Sequence, residues 1–335
     1  MSTPARRAEI DARLLAALGV CGVVVMLAVA VAIGTVSVPI GEVWSALRGV
    51  GDATTVTIVR DLRVPRALLA ALVGVGLSVS GGALQGTLRN PLAEPFLLGV
   101  SGGAAVGAVI ATALGITSPL VVTVAAFVGA AFATALVSVI ARVAGGGSDT
   151  RLLLMAGVVV GAFANAAILV ALADAPPERL RGALWWMMGS AADATWGAVA
   201  RLAVAIVVLA TPLIWWARDI DVLAMGDDAA ASLGVDTVRT SRRVFLVASW
   251  LAAATVAAAG LVGFVGLVVP NIARAVGARH HRSMLLVSAL FGAALMIGAD
   301  LLARTARAPA DLPLGAVTAL IGVPFFLLRM RRLAA

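Results

Sequence analysis

The residues able to do chemistry in this 335-residue chain are few and unevenly placed. The stretch Arg218–Arg243, RDIDVLAMGDDAAASLGVDTVRTSRR, gathers four Arg (Arg218, Arg239, Arg242, Arg243) and five Asp (Asp219, Asp221, Asp227, Asp228, Asp236). Arg63 and Arg66 flank a proline in RVPR, and Asp300 stands four residues before Arg304, a spacing that pairs them on one helix face. Guanidinium forks and carboxylates of this kind suit ionic docking rather than bond making. Nucleophile–base pairs and metal clusters are not in evidence. The two His are adjacent, His280 and His281, and read as a polar loop. Cys21 is the single cysteine, so neither an internal disulfide nor a CxxC redox site exists. All 25 basic residues are Arg. A phosphate-cradling P-loop requires Lys, so this chain is not itself a P-loop ATPase.

The elements that hold these residues are apolar. Hydrophobic residues make up 61% and charged residues 13%, with mean hydropathy +1.06. That balance describes an all-α polytopic membrane protein. Runs of about 20 apolar residues predict spans at Leu14–Ile33, Pro65–Leu84, Phe96–Leu114, Pro119–Val143, Leu152–Ala173, Ala198–Trp216, Val244–Leu261, Val262–Val276, Met284–Ala303 and Leu314–Leu328, about ten transmembrane helices. The first is too long for a signal-peptide core and is kept as a span. Gly34–Leu62 reads as a loop. Pro270 and Asn271 predict a break or a kink in the eighth span, tolerable in a membrane only where protein or a cavity covers it. With ten spans both termini share a side. That side holds Arg6, Arg7, Arg13, Arg89, Arg142, Arg151, the Arg218–Arg243 stretch and the arginines of 274–282 and 329–332. The positive-inside rule then predicts cytoplasmic N and C termini, a cytoplasmic tail at 1–13 and a cytoplasmic loop at 217–243 within one transmembrane domain, 1–335.

Inside that loop DDAAASLG predicts a helix of about two turns, capped by Asp227 or Asp228 and ended by Gly234. Its apolar face is Ala230, Leu233 and Val235. So short a helix must pack on something, either this chain or a partner. The glycines and serines at Gly74, Gly76, Ser78, Ser80, Gly81, Gly82 and again at Gly99–Gly107 predict close helix packing, with part of them available to line a path.

Two stretches carry more than composition. RDLRVPRALLAALVGVGLSVSGGALQGTLRNPLAEPFLLGVSGGAAVGA spans Arg60–Ala108, and GLVGFVGLVVPNIARAVGARHHRSM opens Gly260–Phe326. The ordered motifs RxPR, SGxxxQ, RNPLAxP, GxxxAxxLG, GFxGLxxP, ADxxAR and LPxG resemble the FecCD family. These are permease subunits of type II ABC importers for vitamin B12, ferric siderophores and haem. The resemblance covers nearly the whole chain from about Ala30.

It implies a permease homodimer around a central path, two ATPase subunits on the cytoplasmic side, and a periplasmic substrate-binding protein docked above, in a bacterial inner membrane. It implies no enzyme activity and no cofactor on this chain, ATP being held by the partner ATPase, and no nucleic-acid partner. Arg63, Arg66 and Arg304 match positions that meet acidic residues of the binding protein; interfacial anchoring is the plain alternative. Gly226, Asp227, Ala230, Leu233 and Gly234 match the ATPase coupling segment, with Ala230 and Leu233 pressing into a groove on the ATPase. Asn90 and Leu92 match the cytoplasmic mouth and are candidates for a gate, or for an ordinary turn. Asn165 lines the path or bonds a neighbouring helix. Arg181 is a candidate contact for an anionic cargo, near the interfacial Trp185 and Trp186. The cargo expected is an iron(III) complex, siderophore or haem, with cobalamin as the alternative. An ion-coupled secondary transporter is the rival class, disfavoured because acidic residues lie at span ends or in loops.

Overall fold

A computed structural model describes residues 4–36, 38–145 and 150–334. Among the described residues every regular element is helical: α1 (Pro4–Ala32), α2 (Ile40–Leu47), α3 (Ala53–Val56), a π-helical segment (Thr57–Arg63) running into α4 (Val64–Thr87), a 3₁₀ turn (Pro95–Leu98), α5 (Val100–Ala113), α6 (Pro119–Val143), α7 (Thr150–Leu172), α8 (Pro177–Met188), α9 (Trp196–Trp215), α10 (Ala217–Ala224), α11 (Asp227–Ser232), α12 (Thr237–Ala259), α13 (Val265–Ala275), α14 (His281–Thr305) and α15 (Leu314–Ala334). Among the described residues seven segments are long and apolar enough to cross a membrane, and α5, α13 and α15 are shorter apolar helices. These ten correspond to the ten expected spans.

The chain is organised around α4, most of whose apolar window is buried by neighbours rather than facing lipid. Its glycines explain how. A Cβ on Gly74 would stand 2.0 Å from the Gly292 carbonyl oxygen of α14, and one on Gly81 would stand 2.0 Å from the Gly266 carbonyl oxygen of α13. Without side chains the backbones approach closely, which is how helices gain packing energy where lipid offers no hydrophobic drive between them. Gly76 and Gly82 are equally enclosed, so these residues pack helices and do not line an open path.

Three boundaries differ from expectation. The region read as a loop up to Leu62 is largely helical. Asp52 accepts the Thr55 amide and starts a helix continuous through Thr87. The π segment adds a residue to that turn, a rare distortion with a known affinity for functional sites. The polar stretch 218–243 contains a second helix, α10, whose Ala217, Ile220 and Leu223 are buried at helical spacing. The eighth span is not broken at Pro270. Helix α13 passes through it, and the break lies ahead of it, where Phe264 adopts φ 67° at the helix entrance. Helix α13 therefore begins level with Leu77 and Gly81, midway along α4.

Candidate functional site

Polar side chains concentrate at the two ends of α4 and α14. At the start of α4, Arg63, Arg66 and Arg304 converge on one open cavity of about 330 Å³, lined also by Val36, Leu62 and Asp311. Arg66 Nε donates to both oxygens of Asp300 at 2.9 and 3.1 Å, and its Nη1 donates to Asp311 at 2.9 Å. Asp300 is 2% exposed and also stands 3.7 Å from Arg304 Nε, the pair foreseen on one helix face. The expectation is a docking trio in which Asp300 holds back Arg304. The structure engages all three forks within the chain. Arg63, 5% exposed, donates to the carbonyls of Val31 (3.0 Å), Ala32 (2.8 Å) and Val36, satisfying the open end of α1. Arg304 donates to the Ala30 carbonyl. Arg66 is the more accessible member of the set.

At the other end, the link from α4 to α5 meets α13. Pro270 has no N–H, which leaves the carbonyl of Gly266 without its helical donor. Gln85 Nε2 supplies it at 3.1 Å and also reaches Leu267 O at 3.3 Å. Gln85 Oε1 accepts from Arg274. Asn271 Nδ2 donates to Leu267 O at 2.8 Å and to Pro91 O at 3.1 Å, tying α13 to the RNPL turn. Asn90 Oδ1 accepts the Leu92 amide at 2.9 Å, so Asn90 forms the turn, while Leu92 is exposed. Glu94 Oε1 accepts the Phe264 amide at 2.7 Å and holds the strained entrance of α13. Burial pushes the Glu94 carboxyl up from its ordinary range, against the Phe264 amide, which pulls it down. The motif spacing alone did not reveal this Gln85–Asn271–Glu94 network. A proline inside an apolar helix was the available signal, since it obliges another donor to appear.

Next to this network lies the loop 217–243. Helix α11 ends in a Schellman arrangement: Gly234, at φ 81°, donates to Ala231 O and Val235 donates to Ala230 O. Its start is capped by no side chain. Gly226 occupies that place at φ 112°, and Asp227 instead pairs with Arg89 across the RNPL turn. Ala230 is completely buried within this chain, so it cannot press into a partner as expected. Leu233, 61% exposed, alone keeps that option. Helix α10 is fixed twice. Asp219 pairs with Arg243, whose guanidinium lies 4.7 Å from the centre of the Trp216 ring. Asp221 Oδ1 meets His281 Nδ1 at 2.6 Å and accepts the His281 amide at 3.0 Å. Burial would raise the Asp221 carboxyl, but the His281 hydrogen bonds and charge outweigh it and lower the pKa. This His–Asp joint corrects the reading of His280–His281 as a mere polar loop. Sixty residues separate its partners, so no local pattern announces it.

Asn165 and Arg181 lie on α7 and α8, exposed and outside both polar clusters. Asn165 shares its helix with exposed Phe163, Leu169 and Val170. An exposed amide on a spanning helix is unfavourable against lipid and suits a polar neighbour or a water-lined path.

A model of the FecCD transport family matches residues 22–332. A cobalamin import system permease protein, BtuC, of Halobacterium salinarum is 44% identical over 83% of this chain and 74% of its own. The hemin transport system permease HmuU of Yersinia pestis is 39% identical (80% and 81%), and the Fe(3+) dicitrate permease FecD of Escherichia coli 38% (82% and 86%). A solved metal-chelate type ABC transporter in an inward-facing conformation superposes with TM-score 0.85 at 27% identity over 96% of this chain and 99% of that one. With its family motifs placed on one bundle of membrane helices, the chain belongs to the FecCD transport family, the membrane-embedded permeases of type II ABC importers.

Proposed function

We propose that this chain is the permease of an ATP-driven importer for a bulky metal chelate, working as a homodimer in the inner membrane with both termini and the loop 217–243 cytoplasmic. Leu233 carries the reading. It is a large apolar side chain left exposed on a helix whose own Ala230, Schellman end and Arg89–Asp227 pair anchor it firmly. A firmly seated apolar knob of this kind suits a groove on a separate ATPase. The stroke would pass through α11 to the RNPL turn at Arg89 and through α10 to α14 at His281. Arg66 leads the docking of a binding protein at the opposite end, with Arg63 and Arg304 supporting its position. Leu92 is proposed as the gate, Asn165 as part of the path or dimer face, and Arg181 as a cargo contact.

The relatives divide among cobalamin, haem and ferric dicitrate, so the cargo is proposed as a class. The 44% identity to a cobalamin permease favours cobalamin as a reading equal to an iron(III) complex. Leu233→Asp is expected to abolish ATPase co-purification and ATP-dependent uptake in proteoliposomes while the variant still folds. Unchanged pull-down would remove Leu233 from the interface. Uptake driven by an ion gradient without ATP would instead indicate a secondary transporter. Competition for uptake between cobalamin, haem and a ferric siderophore separates the cargoes.

A further inference from the structure

A cavity of about 780 Å³ opens beside α10, bordered on one side by the Asp219–Arg243 and Asp221–His281 contacts. It lies where the apolar run of α9 ends. Val204, Val207 and Val208 on α9 are exposed, and Trp215, 83% exposed, closes the run and forms a cavity wall with Ile214. A tryptophan at the end of a lipid-facing span marks the depth of the headgroups. The rest of the lining is ionic: Arg218, Arg243 and Arg282, with Asp219 and Asp221. Both carboxylates are already engaged, Asp219 by Arg243 and Asp221 by His281. Among the described residues the side chains of Arg218 and Arg282 have neither a hydrogen bond nor an ion pair. Arg243 is held by Asp219 and keeps its charge on the cavity wall.

From this geometry we infer that the cavity binds the phosphate of an anionic phospholipid. Arg218 and Arg282 meet the phosphate oxygens, Arg243 adds positive charge to the wall, and an acyl chain runs along the exposed valines of α9. The arginines select anionic charge, and basic pockets between helices at the headgroup level are suited to it. The apolar wall selects a lipid over free phosphate. The bound lipid would tie α10 to the membrane surface while leaving Leu233 of α11 free.

The test is native mass spectrometry of the full chain in mild detergent with equal amounts of dioleoylphosphatidylglycerol and dioleoylphosphatidylcholine. The expected result is selective retention of phosphatidylglycerol. Each of Arg218→Gln and Arg282→Gln should reduce it roughly fivefold, and the Lys variants should keep most of it. Both side chains are exposed, so the single variants should fold. Equal retention of the two lipids, or an undiminished preference in both Gln variants, overturns the proposal. So does complete competition by millimolar inorganic phosphate, which would make this a free-anion site. Gln variants that keep lipid but lose ATPase co-purification would also overturn it, assigning the arginines to a protein partner. None of these readouts depends on which cargo is carried.

Discussion

Replacing Asp300 with Asn tests the buried ionic cluster most directly, because the shape is kept and only the charge is lost. Asp300 is 2% exposed and serves two arginines at once. Arg66 would keep Asp311 at 2.9 Å and enough water to limit its loss. Arg304, 4% exposed, would keep only the Ala30 carbonyl and become a buried cation without a counter-charge. Breaking a buried pair costs about 3–5 kcal/mol, and the surviving Arg66–Asp311 bridge argues for the lower end, about 3 kcal/mol. A domain holds only about 5–15 kcal/mol in total, so the effect is large. Equilibrium unfolding in detergent with rising dodecyl sulfate, read by tryptophan fluorescence, measures it. Asp300→Leu with Arg304→Met removes both charges and should recover most of the loss. An Asn variant within about 0.5 kcal/mol of wild type would refute the claim that Asp300 neutralises Arg304.

Glu94→Gln is expected to be more stable than wild type at pH 7, with the gap closing as pH falls toward 4. The raised carboxyl pKa means that Glu94's favourable contribution is present below its unfolded value of about 4.3 and is lost as pH rises through the folded value. Glutamine keeps the acceptor for Phe264, and the pH-dependence of unfolding for the two proteins checks this. Gly81→Ala should push α13 from α4 and cost about 1–3 kcal/mol, whereas Gly161→Ala, where a Cβ meets nothing within 4 Å, should be neutral or slightly stabilising in the same unfolding assay.

Lipid makes the helices of such a chain legible, because each crossing must be an apolar run of sufficient length. Ten runs were therefore visible, and so were the Asp300–Arg304 pairing and the glycine end of α11. Helix α10 escaped notice although Ala217, Ile220 and Leu223 are spaced as a helix face, because the intervening charges dominate so short a segment. The fate of Ala230 was not readable. A small apolar residue signals burial without saying against which body, and here the body is its own chain. Asp221 with His281, Glu94 with Phe264, and Gln85 with Gly266 join residues 60 to 181 positions apart. Only the folded bundle brings them within reach.

Helix α14 is fastened near both of its ends, to Asp221 through His281 and to Arg66 through Asp300. From His281 to Asp300 its axis measures about 28 Å at 1.5 Å per residue. A straight rod of that length is a lever arm: a tilt of about 5° at one fastening displaces the other by about 2.5 Å. A tilt imposed on α10 would thus reach the arginine cluster at the opposite end of α14 through one continuous helix, with no intervening loop.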